Sequence, residues 1–171
     1  MDLIYNNIKI LRESLIDKYD ELKNIPDDLL ILSLTRSIPL AFPKYLVSKL
    51  IATYGASTYQ RFEFLGDAVL DMIVAEILFT DYNLLTSGDL TIAKSNIVNN
   101  ISLICFSNSR QLCQLIIWQG QNINPLVESK SCADLFESII GVIYYYLKMQ
   151  KYPDPLYFIL TWLKNEFQQE D

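Results

Sequence analysis

Glu63 and Asp67 stand four residues apart in the stretch QRFEFLGDAVLDMIVAEILF, residues 60–79, and Asp71 continues the series. At i, i+4 and i+8 the three carboxylates share one face of a helix. Like charges at that spacing repel by a few tenths of a kcal/mol each on a solvated helix. Burial raises that cost unless a positive group sits among them. A second pair, Asp134 and Glu137, lies at i, i+3 in SKSCADLFESIIGVIYYYLKM, residues 129–149. Two apolar helices that each offer two carboxylates can bring four acids around one point. Hard oxygen ligands of this kind suit Mg²⁺ or Mn²⁺. Such a centre ionises water and stabilises charge on a phosphodiester.

The bland alternative is a solvated acidic face, the commoner meaning of acids at i, i+4. Two features weigh against it. The neighbours are apolar, and Gly66 precedes Asp67 inside the helix. A mid-helix glycine costs about 1 kcal/mol relative to alanine. Its presence points to close approach of another backbone or a ligand.

The chain has no histidine. That excludes a Ser-His-Asp triad, His-ligated zinc and the Glu-x-x-His pattern of di-iron bundles. The three cysteines, Cys105, Cys113 and Cys132, form no CxxC pair and read as buried small thiols. The net charge of −6 counts against nucleic-acid binding by simple electrostatics. A metal bound among the acids reverses the local sign.

The elements that must position these acids read as successive helices in one all-α domain spanning residues 1–171. Of these residues 51% are apolar, enough for one sizeable core, and five Gly and six Pro argue against a turn-rich β fold. The periodicity predicts helices over 8–23, 27–36, 43–54, from a cap at Ser57-Thr58 to 80, 89–95, 99–115, 129–149 and 155–169. Asp89 is the expected cap of the fifth, and 119–129 reads as loop. No apolar run is long enough for a membrane span, and the N-terminus lacks a signal-peptide pattern, so an intracellular, cytoplasmic protein is expected.

QRFEFLGDAVLD resembles the signature of the ribonuclease III family, E-x-x-E-F-L-G-D-A/S. LTIAKSNIVNN (90–100) resembles its second element, and KSCADLFESIIGVIY (130–144) its third, K-x-x-A-D-x-F-E-S/A-L-I-G-A-I-Y. The three occur in family order within residues 59–144. The resemblance implies an all-α endonuclease domain that forms a homodimer. It implies cleavage of double-stranded RNA with a divalent metal, leaving 5′-phosphate and 3′-hydroxyl ends with short 3′ overhangs. Glu63, Asp67, Asp134 and Glu137 match the metal-binding and catalytic acids. Phe64 matches the aromatic knob of the dimer. Asn100 and Lys130 match supporting positions. Asn100 could hold a phosphate or orient a carboxylate, and Lys130 could stabilise a phosphate or departing oxygen.

Gln60 stands where bacterial members carry Glu, as in Dicer-type domains. Two segments answer to the family's A-L-T-H-x-S. Ser33–Ser37 fits in letters but lies far upstream, and Leu50–Tyr54 fits by position but not in letters. The reading expects no double-stranded-RNA-binding domain within residues 1–171, so a separate partner could supply RNA affinity. The alternative function is an inactive ribonuclease III-like dimerisation or RNA-binding module, a type that usually lacks one or more of the acids.

Overall fold

The computed structural model describes residues 2–119 and 125–168, and their side chains except those of 100, 125–129, 167 and 168. The described residues form α1 (Asp2–Leu11), α2 (Asp27–Leu34), α3 (Lys44–Tyr54), α4 (Gln60–Asp81), α5 (Ser87–Ile97), α6 (Asn100–Ser109), α7 (Pro125–Met149) and α8 (Pro155–Gln168). A π-helical turn, Arg12–Ile16, and a 3₁₀ turn, Leu112–Leu115, complete the set. The all-α expectation holds.

α7 is the axis of the bundle. From Ser131 to Ile143 every residue except Asp134 is buried. A helix apolar on all sides must be surrounded, and α2, α4, α6 and α8 pack against it. α4 is its main partner. The buried face of α4 comprises Phe62, Gly66, Val69, Leu70, Ile73, Val74 and Leu78. Phe62 meets Tyr145 of α7 edge to face at 5.5 Å. The two helices come closest where Gly66 faces Gly141. A β-carbon at Gly66 would collide with the Glu137 carbonyl, and one at Gly141 with the Phe62 carbonyl. The glycine ahead of Asp67 is thus a backbone crossing point.

Several boundaries differ from expectation. Regular helix in the first segment ends at Leu11, and residues 17–25 continue as turns with i→i+3 bonds, Tyr19 to Ile16, Leu22 to Tyr19 and Ile25 to Leu22. Such turns bring every third residue inward, a spacing shared with an α-helix. The 99–115 segment breaks after Ser109, with Gln111 left-handed at φ 57° before the 3₁₀ turn. α7 starts at Pro125, so the last part of the expected 119–129 loop is helix; residues 120–124 lie outside the described residues. Proline suits a first helical position because its missing N–H is not needed there.

Two caps also differ. α4 has Tyr59, not Ser57 or Thr58, at its N-cap and no side-chain cap. The Tyr59 backbone N–H donates to Thr35 O at 2.8 Å instead. α5 is capped by Thr86, and Asp89 completes a capping box three residues later. α5 itself buries no residue.

The cysteines are not all buried thiols. Cys113 and Cys132 are joined as a disulfide between the 3₁₀ turn and α7, and Cys105 is exposed. At the far end of the bundle a fully buried Glu166 accepts from Tyr19 Oη at 2.9 Å and pairs with Arg110 at 3.0 Å and Lys18 at 3.4 Å. Burying a carboxylate without such partners is costly.

Candidate active site

The crossing of α4 and α7 determines which acids meet. Glu63 lies one turn before Gly66, and Glu137 contributes the carbonyl against which Gly66 packs. Asp134 lies one turn earlier on α7. Carboxylate oxygens of Glu63, Asp134 and Glu137 all fall within 4.8 Å of one another. Asp67 projects from the next turn of α4. It is exposed and stands outside that tight group, but its charge is the strongest of those that raise the Glu137 pKa.

Electrostatics expose the strain of this gathering. Glu137 is only 9% exposed. Burial first, then the charges of Asp67, Asp134 and Glu63, push its pKa from 4.5 up to about 8. Glu63 is raised by burial and by Asp134, against the pull of Lys130. Burial also raises Asp134, opposed by Lys130, Arg36 and a hydrogen bond from Tyr59. Tyr59 is buried, and its hydroxyl pKa is pushed up to about 12 by burial and the Asp134 charge. The donor set is all oxygen, anionic and short of positive charge. Those properties fit a hard divalent cation.

An open groove of about 700 Å³ runs past Glu63 and Asp134. Its walls include Arg36, Gln60, Trp118 and Lys130. The groove edge is built by two loops that meet as a single parallel bridge, Thr35 to Ile117.

A family model described as the Ribonuclease III domain matches residues 60–147, the span that carries both acidic helices. The chain belongs to the ribonuclease III family. The Ribonuclease 3 of Psychrobacter arcticus is 34% identical over 136 residues, 71% of this chain and 51% of that protein. The Ribonuclease 3 of Chlorobium chlorochromatii is 41% identical over 87 residues, 50% of this chain and 35% of that protein. The chain therefore spans about a third to a half of the length of these curated relatives. The nuclease domain of ribonuclease III from Campylobacter jejuni superposes with a TM-score of 0.70 at 27% identity, covering 95% of this chain and 96% of that one. A region of the Campylobacter domain is involved in dimer formation.

In this ribonuclease III domain Lys130 is exposed and lines the groove beside the acids. Asn100 opens α6, but its side chain lies outside the described residues. Phe64 is 79% exposed, so it is no core residue of the single chain. Asp71 is not among the gathered acids and pairs with Lys94 of α5 at 2.7 Å, and Glu76 is exposed. Among the described residues no helix is long and apolar enough to cross a membrane.

Sequence reasoning did not single out Arg36, Tyr59 or Trp118. Tyr59 had a signal: it directly precedes the first motif, and the chain buries it against α7. Of the two upstream segments, Ser33–Ser37 is the one that reaches the site. The Thr35 carbonyl holds the start of α4, and Arg36 enters the groove.

The raised Glu137 pKa has a measurable consequence for the metal-free protein. The folded state keeps this proton to a higher pH than the unfolded chain does. The associated stability is complete below about pH 4.5 and is lost as pH rises towards 8. With EDTA, the melting temperature of wild type relative to Glu137→Gln should fall from pH 5.5 to pH 8. Mg²⁺ should restore it most at pH 8, where the acids are ionised. A pH-independent difference between the two proteins would contradict the burial argument.

Proposed function

We propose that this chain is a metal-dependent endoribonuclease that cuts double-stranded RNA as a homodimer. The products are 5′-phosphate and 3′-hydroxyl ends with short 3′ overhangs. The observation that carries the reading is the convergence of Glu63, Asp134 and Glu137 oxygens within 4.8 Å, from two helices locked by a glycine crossing. Asp67 is the fourth acid of the set. Family membership supplies the reaction class.

Mg²⁺, with Mn²⁺ as a substitute, fits these donors and supplies Lewis acidity and a lowered water pKa when bound. Glu63, Asp67, Asp134 and Glu137 would hold it. Glu137 would give up its proton to a bound cation, so metal affinity should rise with pH. Tyr59 orients Asp134 by donating to its carboxylate. Lys130, which lines the groove beside the acids, would balance charge on a phosphate or the departing oxygen. The net charge of −6 leaves little general attraction to RNA, and a separate double-stranded-RNA-binding partner would add affinity.

Exposed Phe64 is the knob of the proposed dimer, and Phe64→Ser should convert dimer to monomer in sedimentation while leaving the helical content intact. An unchanged dimer would remove Phe64 from the interface. Function itself is tested with a perfectly paired RNA of defined length, in Mg²⁺ or EDTA, with the ends mapped. Metal-dependent cuts on both strands, offset to leave 3′ overhangs, are expected. Absence of cutting in both Mg²⁺ and Mn²⁺ would instead favour a non-catalytic binding module.

A further inference from the structure

The chain has four arginines, and three have plain structural employment. Arg12 pairs with Asp27, Arg61 donates to the Gly55 carbonyl, and Arg110 pairs with Glu166. Arg36 differs. Among the described residues no carboxylate forms an ion pair with it and no acceptor takes a hydrogen bond from its guanidinium. Its charge still reaches Asp134, and it lines the same groove as Glu63, Asp134 and Lys130.

Its backbone is fixed. The Arg36 N–H donates to Ile117 O at 2.8 Å, and the Ile117 N–H donates to Leu34 O at 2.7 Å. Next to it, the Gln119 N–H donates to Ser37 Oγ at 2.7 Å. The side chain is fixed too: the guanidinium carbon sits 5.0 Å from the centre of the Trp118 ring. A half-buried arginine held over an indole, with its donors unspent, is pre-organised for an anion. Among the described residues, the charged side chains that line the groove besides Glu63 and Asp134 are Arg36 and Lys130, both positive.

We propose that Arg36 anchors an RNA phosphate in the cleavage groove, and that Trp118 is its positioning residue. A guanidinium presents two parallel N–H donors that match two phosphate oxygens, which a lone ammonium cannot do. The anchored phosphate is one near the scissile bond, since the groove also contains Glu63 and Asp134. The assignment rests on the nuclease reading above, and the test separates the two.

The experiment uses the full chain and a paired RNA of defined length, with wild type measured first. Arg36→Met keeps the apolar stem against Trp118 and removes the charge. It should raise the half-saturating RNA concentration about tenfold while the maximal rate changes less than about threefold. The slope of log affinity against log salt should shrink by about one phosphate's worth. Arg36→Lys should recover part of the loss. Trp118→Leu should lose part of the RNA affinity, and Trp118→Phe, which keeps a weaker aromatic face, should lose less of it.

If Arg36→Met instead changes only the Mg²⁺ requirement or the melting temperature, with RNA affinity and salt slope unchanged, the anchor is wrong and Arg36 is merely a counter-charge to Asp134. If wild type binds RNA without cutting, the nuclease reading fails, and the anchor is judged by the same variants in an anisotropy titration. If wild type neither binds nor cuts, both fail.

Discussion

Glu137→Gln should lower the single-turnover cleavage rate by about 10³-fold or more, equivalent to about 4 kcal/mol of transition-state stabilisation. The amide keeps the volume of the side chain and removes only the charge. Glu137 is the most buried acid of the group, so water cannot replace the lost ligand cheaply. RNA affinity and dimerisation should stay close to wild type, because the groove cations and Phe64 are untouched. Metal-free stability should not fall. A carboxyl whose pKa is already near 8 is mostly protonated at neutral pH, and glutamine resembles that form. Rate, anisotropy and thermal melts on one preparation check all three. A variant that cuts at the wild-type rate would remove Glu137 from the chemistry.

Gly66→Ala should destabilise the fold by about 1–3 kcal/mol, the range for overpacking a tight core. That corresponds to roughly 2–12 °C in melting temperature for a chain of this size. On a solvated helix the same change would stabilise by about 1 kcal/mol, because alanine is the better helix former. The sign therefore decides between a crossing point and an ordinary helix position. Beyond the Glu137 carbonyl, the new methyl would stand 2.8 Å from the Gly141 backbone nitrogen. Relief requires α4 and α7 to separate. Separation carries Glu63 away from Asp134 and Glu137, so the half-saturating Mg²⁺ concentration should also rise. Melts and a Mg²⁺ titration of activity measure the two effects, and a stabilised variant would refute the close packing.

The carboxylates were legible because their signal is local and twofold. Acid spacing places them on helix faces, and apolar neighbours imply that those faces turn inward. Gly66 was legible for a related reason: a costly residue in a regular element needs a cause. Arg36 and Trp118 were not legible. Eighty-two residues separate them, and what joins them is a bridge between loops, which leaves no periodicity to read. The Cys113–Cys132 bond was missed likewise, since a spacing of 19 matches no metal or redox motif. Helix ends erred where Tyr19, Leu22 and Ile25 repeat every three residues, a rhythm that turns and helices share.

α5 lies at the edge of this tightly packed centre. It buries none of its eleven residues, and in water a helix of that length is marginal unaided. Its half-buried Leu90 and Ala93 rest against the edge of the core, the Thr86 capping box closes its first turn, and Lys94 pairs with Asp71 of α4. With so little burial of its own, α5 should open to solvent more readily than the α4–α7 contact separates. In hydrogen exchange the domain should divide into a slow unit around α7 and a fast one at α5, whose opening energy should lie well below that of global unfolding.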